Sequence, residues 1–527
     1  MKYSYPAARP ILILLLILMF CLSPVFSQES DFDELQSDEY QPAEIQLDEN
    51  SIFVISSINC NITGRTRPYA VLYNGEFKTG EEIQGQANLE KYIRDKTQML
   101  LNHRVLKTVS IDYTAEDARE DGKIPVNLVI NIEDTWNFII MPIPRYSSNT
   151  GLELILRYRD YNFLGTMNPL PINVGYRYDE KYRSSGFFEL ESNIPFMAFG
   201  YDWTFKFENY FDYRPGMEEE IYFRNNTGIF MELPVGNTTF TFGFDESFIF
   251  NEENEEKYKD SFSDFQSGFY MSSKPYVSWK IPTGIEVGSY GELAYTPEIA
   301  AVFNHEFPKW ELEEIHKGPY LTFAHVLGFD RVDWIRNHRK GFDVSLNNSY
   351  TYDFYRMTRD KDALSIDYSI EGKGHFVFGE IFGISFFLQY RQWFYHDPNY
   401  YDYAGDALRG ILDHDLFADY MLSLNLDFPF RILHFSPANW FNRPGMRGAD
   451  IDFHFSPIID LALYHDPTTG TSFDFKNILA AGGFEVMIFP LAMRSVYIRF
   501  SFGWNFIETA HTSRGDREVF IGLGHHY

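Results

Sequence analysis

The chain has 527 residues, with 74 acidic against 45 basic ones and a formal net charge of −29. This acidic balance, without a basic stripe to meet phosphates, argues against a nucleic-acid partner. Aromatic residues make up 18% of the chain, with 51 Phe and 36 Tyr, and the mean hydropathy is negative. Together these values are typical of a transmembrane β-barrel, in which lipid-facing apolar side chains alternate with lumen-facing polar ones and aromatic girdles mark the strand ends.

The N-terminal residues 1–27 predict a secretory signal peptide. Two basic residues precede an apolar run at 11–22, and short residues stand before the expected cleavage site. An uncleaved anchor is the less favoured alternative, because the run is shorter than the ~20 residues that a spanning helix needs. Lipidation at Cys21 is another alternative. After cleavage only Cys60 remains, so the mature chain cannot form an internal disulfide.

The next two segments differ sharply in composition. Residues 28–50 hold nine acidic residues and no basic one, which predicts a disordered leader. Residues 51–145 read as a strand, a short helix, a longer helix with apolar positions near a 3.6-residue repeat, and two alternating strands. This βααββ order predicts one small α+β domain.

The segment 150–527 repeats one pattern. Alternating stretches of 9 to 15 residues are separated by clusters of Gly, Asn, Asp and Pro, and they divide into seventeen candidate strands. Single-chain bacterial barrels prefer even strand numbers, so we expect an antiparallel barrel of about 16 strands. An array of soluble β-sandwiches is the alternative, but it leaves the aromatic content unexplained.

The last residues, "REVFIGLGHHY", form an alternating strand that ends on an aromatic. This stretch resembles the C-terminal recognition strand of outer-membrane barrels, which has a terminal aromatic and a glycine five residues before the end. Tyr527 and Gly522 fit that pattern. Gly522 and Gly524 also predict a weak strand, because glycine weakens strand pairing.

The order of signal peptide, βααββ domain and C-terminal barrel resembles the BamA/TamA outer-membrane assembly family, in which periplasmic POTRA domains precede such a barrel. Within "LRGI" (408–411), Arg409 and Gly410 are similar to the Arg-Gly-aromatic motif of that family's sixth extracellular loop. Downstream, "SPIIDLALY" resembles the family's strand with an acidic residue, here Asp460. A second Arg-Gly pair at Arg447 is the less favoured match, because too few strands follow it.

The resemblance implies that the sixth loop folds back into the lumen, where its arginine meets the acidic strand. Physical chemistry favours the same pairing, because a partly desolvated guanidinium needs a carboxylate and can bind one through two parallel hydrogen bonds. We therefore expect Arg409, Gly410 and Asp460 to form a buried latch that pins the loop. Such a pair is better evidence for structural specificity than for net stability.

The family resemblance implies an assembly, insertion or translocation component of the bacterial outer membrane, with the α+β domain in the periplasm. Its partners would be membrane lipids and unfolded polypeptides, and accessory lipoproteins remain open. The polypeptide would pair with a POTRA edge strand, and the barrel would open at a seam between strands near 151–160 and 517–527. A porin-like channel without insertase activity is the alternative, and a structural surface protein is a third.

No enzymatic chemistry is signalled. The sequence contains no Gly-x-Ser-x-Gly, His-Glu-x-x-His or Gly-x-x-x-x-Gly-Lys segment. The adjacent His525 and His526 point to opposite faces of a strand and cannot bind one ion together. The sequence therefore predicts a protein that is not an enzyme and that has neither a metal nor a cofactor.

Overall fold

The computed structural model describes most of the chain after residue 50. The described residues are 51–149, 151–179, 183–216, 220–253, 265–288, 291–307, 317–359, 361–394, 402–440, 450–492 and 494–523. The predicted signal peptide (1–27) and acidic leader (28–50) lie outside these ranges. So do Gly524, Tyr527 and Arg447.

Residues 51–134, here the N-terminal unit, form a small α+β layer structure. Its elements are β1 (Ile52–Thr63), α1 (Pro68–Asn74), β2 (Glu82–Gln84), α2 (Gln86–Asn102), β3 (Leu106–Ala115) and β4 (Lys123–Asp134). The sheet order is β2-β1-β4-β3, and β1 runs parallel to β4. Parallel neighbours need a long crossover, which the two helices supply. The short β2 is an addition to the predicted βααββ order.

The rest of the described chain forms one closed antiparallel barrel. Its strands are β5 (Phe138–Ser147), β6 (Gly151–Asp160), β7 (Leu170–Asp179), β8 (Arg183–Ala198), β9 (Tyr201–Tyr213), β10 (Ile221–Val235), β11 (Thr238–Glu253), β12 (Phe265–Glu286), β13 (Glu292–Glu306), β14 (Tyr320–Ile335), β15 (His338–Asp353), β16 (Leu364–Phe378), β17 (Phe382–Phe394), β20 (Tyr420–Asp427), β21 (Phe430–Phe435), β22 (Ile451–His465), β23 (Leu479–Pro490), β24 (Ile498–Asn505) and β25 (Arg517–Leu523). Two minor strands, β18 (Asp402–Tyr403) and β19 (Phe417–Ala418), pair with each other in the connection after β17.

The barrel has 18 strand positions among the described residues, because β20 and β21 both pair with β17 and β22 and count as one. The expectation of about 16 strands is therefore corrected. Seventeen strands do follow residue 150, as the alternation predicts. The even number is reached by adding β5 in front of them, not by merging two candidates, so the barrel begins at Phe138 and not near residue 150.

Apolar side chains alternate with polar ones along the barrel wall and point outward. In β6, Leu152, Leu154 and Leu156 are exposed, whereas Glu153 is buried and Arg157 lines a cavity on the inner face. An apolar outer face with a polar inner one is the arrangement that a lipid bilayer requires of a closed sheet. The exterior therefore defines a transmembrane barrel.

Two short helices lie outside the sheet, α3 (Phe354–Met357) and α4 (Pro437–Trp440). In α3 the carboxylate of Asp353 accepts hydrogen bonds from the backbone N–H groups of Tyr355 and Arg356 and so begins the helix. No helix in the described ranges is long and apolar enough to cross a membrane.

The described contacts between the N-terminal unit and the barrel lie at one end of the barrel strands. Tyr69 donates to Asp202 beside the β8–β9 turn (3.1 Å), and the side-chain amide of Asn102 donates to Asp333 near the β14–β15 turn (2.9 Å). The connection between β17 and β20 leaves the opposite end. Its described part, residues 402–419, is named the lumen loop.

Candidate functional site

The lumen loop folds back inside the barrel and packs there through an apolar cluster. Buried loop side chains meet buried side chains of the strands β20, β22 and β23. The cluster consists of Ala404, Ala407, Leu408, Ile411, Leu416, Ala418, Met421, Ala462, Tyr464 and Leu479. Ile411, which stands where the resembled motif has an aromatic, is 1% exposed in this cluster. The loop is therefore held by burial of apolar surface as well as by charge.

Arg409 lies at the centre of the loop's polar contacts and is 3% exposed. Its Nε and Nη2 atoms donate to the two carboxylate oxygens of Asp460, at 3.0 and 2.6 Å, and its backbone N–H donates to the same carboxylate at 2.7 Å. This is the bidentate geometry in which a guanidinium is most strongly held. The structure thus brings together Arg409 and Asp460, the two residues that the sequence pairs.

Two further carboxylates surround the same guanidinium. Arg409 Nη1 donates to Asp427 at 2.6 Å and to Glu485 at 3.4 Å, and Glu485 also pairs with Arg499 at 3.3 Å. Burial alone would lower the pKa of Arg409, but the attraction of Asp427 and Asp460 outweighs burial and raises that pKa above its ordinary value. The cation is therefore permanent, and it is shared among β20, β22 and β23.

Gly410 allows the loop to approach the wall closely. Its φ is +103°, and a Cβ atom there would lie 2.6 Å from the backbone nitrogen of Trp504 in β24. On the other side of the contact, a Cβ atom on Gly503 would lie 2.4 Å from the Gly410 nitrogen. Only two glycines facing each other fit this approach, because a left-handed φ and a close backbone contact both exclude a side chain.

The barrel closes through a short seam between its first and last strands. Among the described residues, β5 and β25 share two residue pairs, Phe520 with Ser147 and Ile521 with Tyr146. The neighbouring β24–β25 ladder has seven pairs. The predicted seam strand near 151–160 is therefore wrong, since those residues form β6, which pairs with β5 and β7.

Of the predicted seam residues, the structure describes Gly522, which lies in β25 opposite Arg499.

Sequence reasoning missed Asp427 and Glu485, the additional carboxylates around Arg409. A local signal exists for Asp427, because "LSLNLDF" alternates strictly and places Ser423, Asn425 and Asp427 on one face. Nothing local relates Glu485 to a loop more than seventy residues away, so the sequence gives no such signal for it.

No group of three or more His, Cys, Asp or Glu side chains that could hold a metal ion occurs among the described residues.

The three carboxylates that bind the Arg409 guanidinium all belong to strands of the barrel wall. The arrangement is thus suited to anchoring a loop. It defines the class of the protein: a closed transmembrane β-barrel with an arginine-anchored loop in its lumen.

Comparisons with known proteins give structural likenesses only. No protein-family model matches the sequence, and no curated protein matches it. CdiB from Acinetobacter baumannii aligns over 90% of this chain and 74% of its own, with 13% identity and a TM-score of 0.47. BamA from Haemophilus ducreyi lacking POTRA domains 1-3 aligns over 89% and 85%, with 12% identity and a TM-score of 0.36. CdiB from Escherichia coli aligns over 99% of both chains, with 9% identity and a TM-score of 0.42.

Proposed function

We propose that this chain is a bacterial outer-membrane component that inserts or translocates polypeptides through its barrel seam. The observation that carries the proposal is the β5–β25 seam, which has two described residue pairs where the β24–β25 ladder has seven. Among the barrel's described strand pairs, with β20 and β21 counted as one strand, this one has the shortest backbone ladder to break. A barrel that opens there exposes two strand edges, onto which an incoming strand can pair.

We further propose that the N-terminal unit is a periplasmic POTRA-like domain that receives the polypeptide. Its strand β3 lies at the edge of the sheet and pairs with β4 alone. A free strand edge binds an extended chain through backbone hydrogen bonds, with little demand on sequence. Membrane lipids and unfolded outer-membrane or secreted polypeptides are the proposed partners. Accessory lipoproteins are a further candidate class of partner.

Locking the seam tests the proposal. Tyr146 and Ile521 face each other across it, and paired strand residues have Cα separations of about 4.5–5.5 Å, which lies within disulfide range. In a Cys60→Ser background, the double variant Tyr146→Cys/Ile521→Cys should lose activity when oxidised and regain it when reduced. The readout is the assembly of other barrels in cells.

A matched control comes from a strand pair away from the seam. Phe205 and Ile229 face each other on β9 and β10, and they are about as exposed as the seam pair. The variant Phe205→Cys/Ile229→Cys should keep its activity in both redox states. Undiminished assembly with an oxidised seam would refute lateral opening.

Depletion of the chain tests the wider role. A general assembly factor predicts that the amounts of many other outer-membrane barrels fall in isolated membranes. A dedicated translocator predicts that those amounts hold steady while one secreted substrate is lost.

The channel remains the second candidate, and the polar inner wall favours it. Arg157, Asn173, Glu189 and Arg224 line a water-accessible cavity of about 390 Å³ on the inner face of β6–β10. A channel predicts a steady conductance in planar bilayers that does not depend on the seam disulfide. It also predicts that other outer-membrane barrels remain at normal levels after depletion.

A further inference from the structure

The lumen loop touches both strands of the seam as well as the latch. Asn149, the second residue after β5, is the centre of these contacts. Its side-chain amide donates to Asp413 of the loop at 2.9 Å and to Glu518 of β25 at 3.2 Å, and its carbonyl oxygen accepts from the backbone N–H of Asp413 at 3.0 Å. One side chain thus joins the first strand, the last strand and the loop.

The last strand is also bound to the loop directly. The other carboxylate oxygen of Glu518 accepts from the backbone N–H of Gly410 at 2.9 Å. Gly410 follows Arg409, which is anchored to Asp460 of β22. The loop therefore runs from the wall at β22 across β24 and β25 to Asn149, beyond the end of β5.

These contacts reinforce the end of the seam that lies beside the loop. The backbone adds two hydrogen bonds there: Ser148 N–H donates to the carbonyl of Val519 at 3.1 Å, and Val519 N–H donates to the hydroxyl of Ser148 at 2.9 Å. The loop and Asn149 together contribute four hydrogen bonds to the same region. Since the described strand ladder has only two pairs, side-chain and loop contacts form a large share of what closes the seam.

We infer that the lumen loop is a clasp on the seam, with Asn149, Asp413 and Glu518 as its contact residues. The loop and the seam are then coupled, because Asp413 binds Asn149 on the β5 side and Gly410 binds Glu518 of β25, so parting the two strands breaks one of the loop's attachments. The role of this coupling in polypeptide insertion rests on the proposed function. The coupling itself is a property of the isolated protein.

The rate of seam crosslinking tests the clasp. In the Cys60→Ser, Tyr146→Cys, Ile521→Cys protein, purified whole and placed in lipid vesicles without substrate, a mild oxidant forms the disulfide only while the seam is closed. Asn149→Ala, which removes three hydrogen bonds, should raise the open population of the seam and slow crosslinking in proportion to the closed fraction that is lost. Asp413→Ala should slow it by less, since Asn149 keeps its bond to Glu518.

Asn173→Ala is the matched control. Asn173 likewise bonds to charged side chains, donating to Glu189 (2.8 Å) and accepting from Arg157 (2.9 Å), but it lies in β7 away from the seam. It should leave the crosslinking rate unchanged. The Asp413 variant alters only a loop residue, so it keeps the test informative if Asn149→Ala does not fold.

Crosslinking of the Asn149 and Asp413 variants at the reference rate would overturn the clasp. That result would leave the proposed function standing, because the assay contains no polypeptide substrate. Conversely, slowed crosslinking in these variants combined with normal barrel assembly after depletion would support the clasp and reject insertion.

Discussion

At the scale of residues, the latch is a single cation shared by three carboxylates. Arg409 is 3% exposed, and Asp460 is fully buried. Removing one member of such a group leaves an uncompensated buried charge, which is more costly than the net contribution of the intact pair. The fork of a guanidinium can serve Asp460 and Asp427 at once, whereas an ammonium is a point charge.

We therefore predict that Arg409→Ala destabilises the barrel by about 3–5 kcal/mol and that Arg409→Lys recovers only part of that loss. The measurement is the free energy of unfolding in denaturant in detergent micelles. Arg224→Lys is the control, because Arg224 and its partner Glu208 are each 40% exposed and such pairs contribute about 0–1 kcal/mol. Equal effects at both positions would contradict the latch.

Gly410 permits a second prediction at this scale. Gly410→Ala should displace the loop, because the added Cβ combines a left-handed φ with a 2.6 Å approach to the β24 backbone. Gly515→Ala separates the two causes, since Gly515 has a φ of +96° but its nearest neighbour would lie 3.6 Å from the new Cβ. Protease cleavage within the loop should increase for Gly410→Ala well beyond the increase for Gly515→Ala.

At the scale of elements, the lumen loop holds Asp413 in surroundings that disfavour its ionised form. Burial, followed by repulsion from Asp406, raises the pKa of Asp413 to about 6, although the hydrogen bond from Asn149 acts in the opposite direction. An aspartate whose pKa is raised on folding is held less well when it is ionised. The loop should therefore be held more firmly below about pH 6 than above it.

Asp413→Asn is predicted to remove this pH dependence, because the amide oxygen keeps an acceptor for Asn149 without a charge. The unfolding temperature of the variant should exceed that of the unaltered protein at pH 8, and the two should converge as the pH falls through 6 towards 4. A temperature difference that stays constant between pH 4 and pH 8 would argue against a buried, ionising Asp413.

At the scale of the whole molecule, the N-terminal unit and the barrel are connected through Arg104. Its guanidinium stacks on the Trp334 ring at 4.1 Å and donates to the side-chain oxygen of Asn337 at 3.0 Å, and it also donates to the backbone carbonyl of Arg494. Burial lowers the pKa of Arg104 to about 10, which keeps it charged at neutral pH. These contacts fix the unit against two separate turns of the barrel.

Arg104→Ala should free the N-terminal unit, and proteolysis in the connection at 135–137 should become faster. Arg65→Ala is the matched control, since Arg65 also joins the unit to the barrel, through Asp160, but its side chain is 59% exposed. We expect little change in cleavage for this variant. Equal acceleration by both substitutions would mean that Arg104 has no special part in the docking.

The amino-acid sequence was enough to predict the class of fold and one ion pair of the latch, Arg409 with Asp460. Strand alternation has a period of two residues and is therefore local, so it located the strands after residue 150 without any knowledge of their partners. The pairing of Arg409 with Asp460 was implied by the resemblance of two short stretches to family motifs, and the rule that a buried guanidinium needs a carboxylate supported it. The alternation uses neighbouring residues only, whereas Arg409 and Asp460 are 51 positions apart and were paired through the resemblance.

The closure of the barrel and the surroundings of the loop depend on contacts between residues far apart in the chain. "FIIMPIPRYS" follows β4 after three residues, and its alternation alone does not say whether it continues the small sheet or begins the barrel. Its pairing with both β6 and β25 settles that. Likewise Asn149 and Glu518 are 369 positions apart and meet only because closure brings the first and last strands together. Such contacts depend on the register of all the intervening strands, which no local pattern contains.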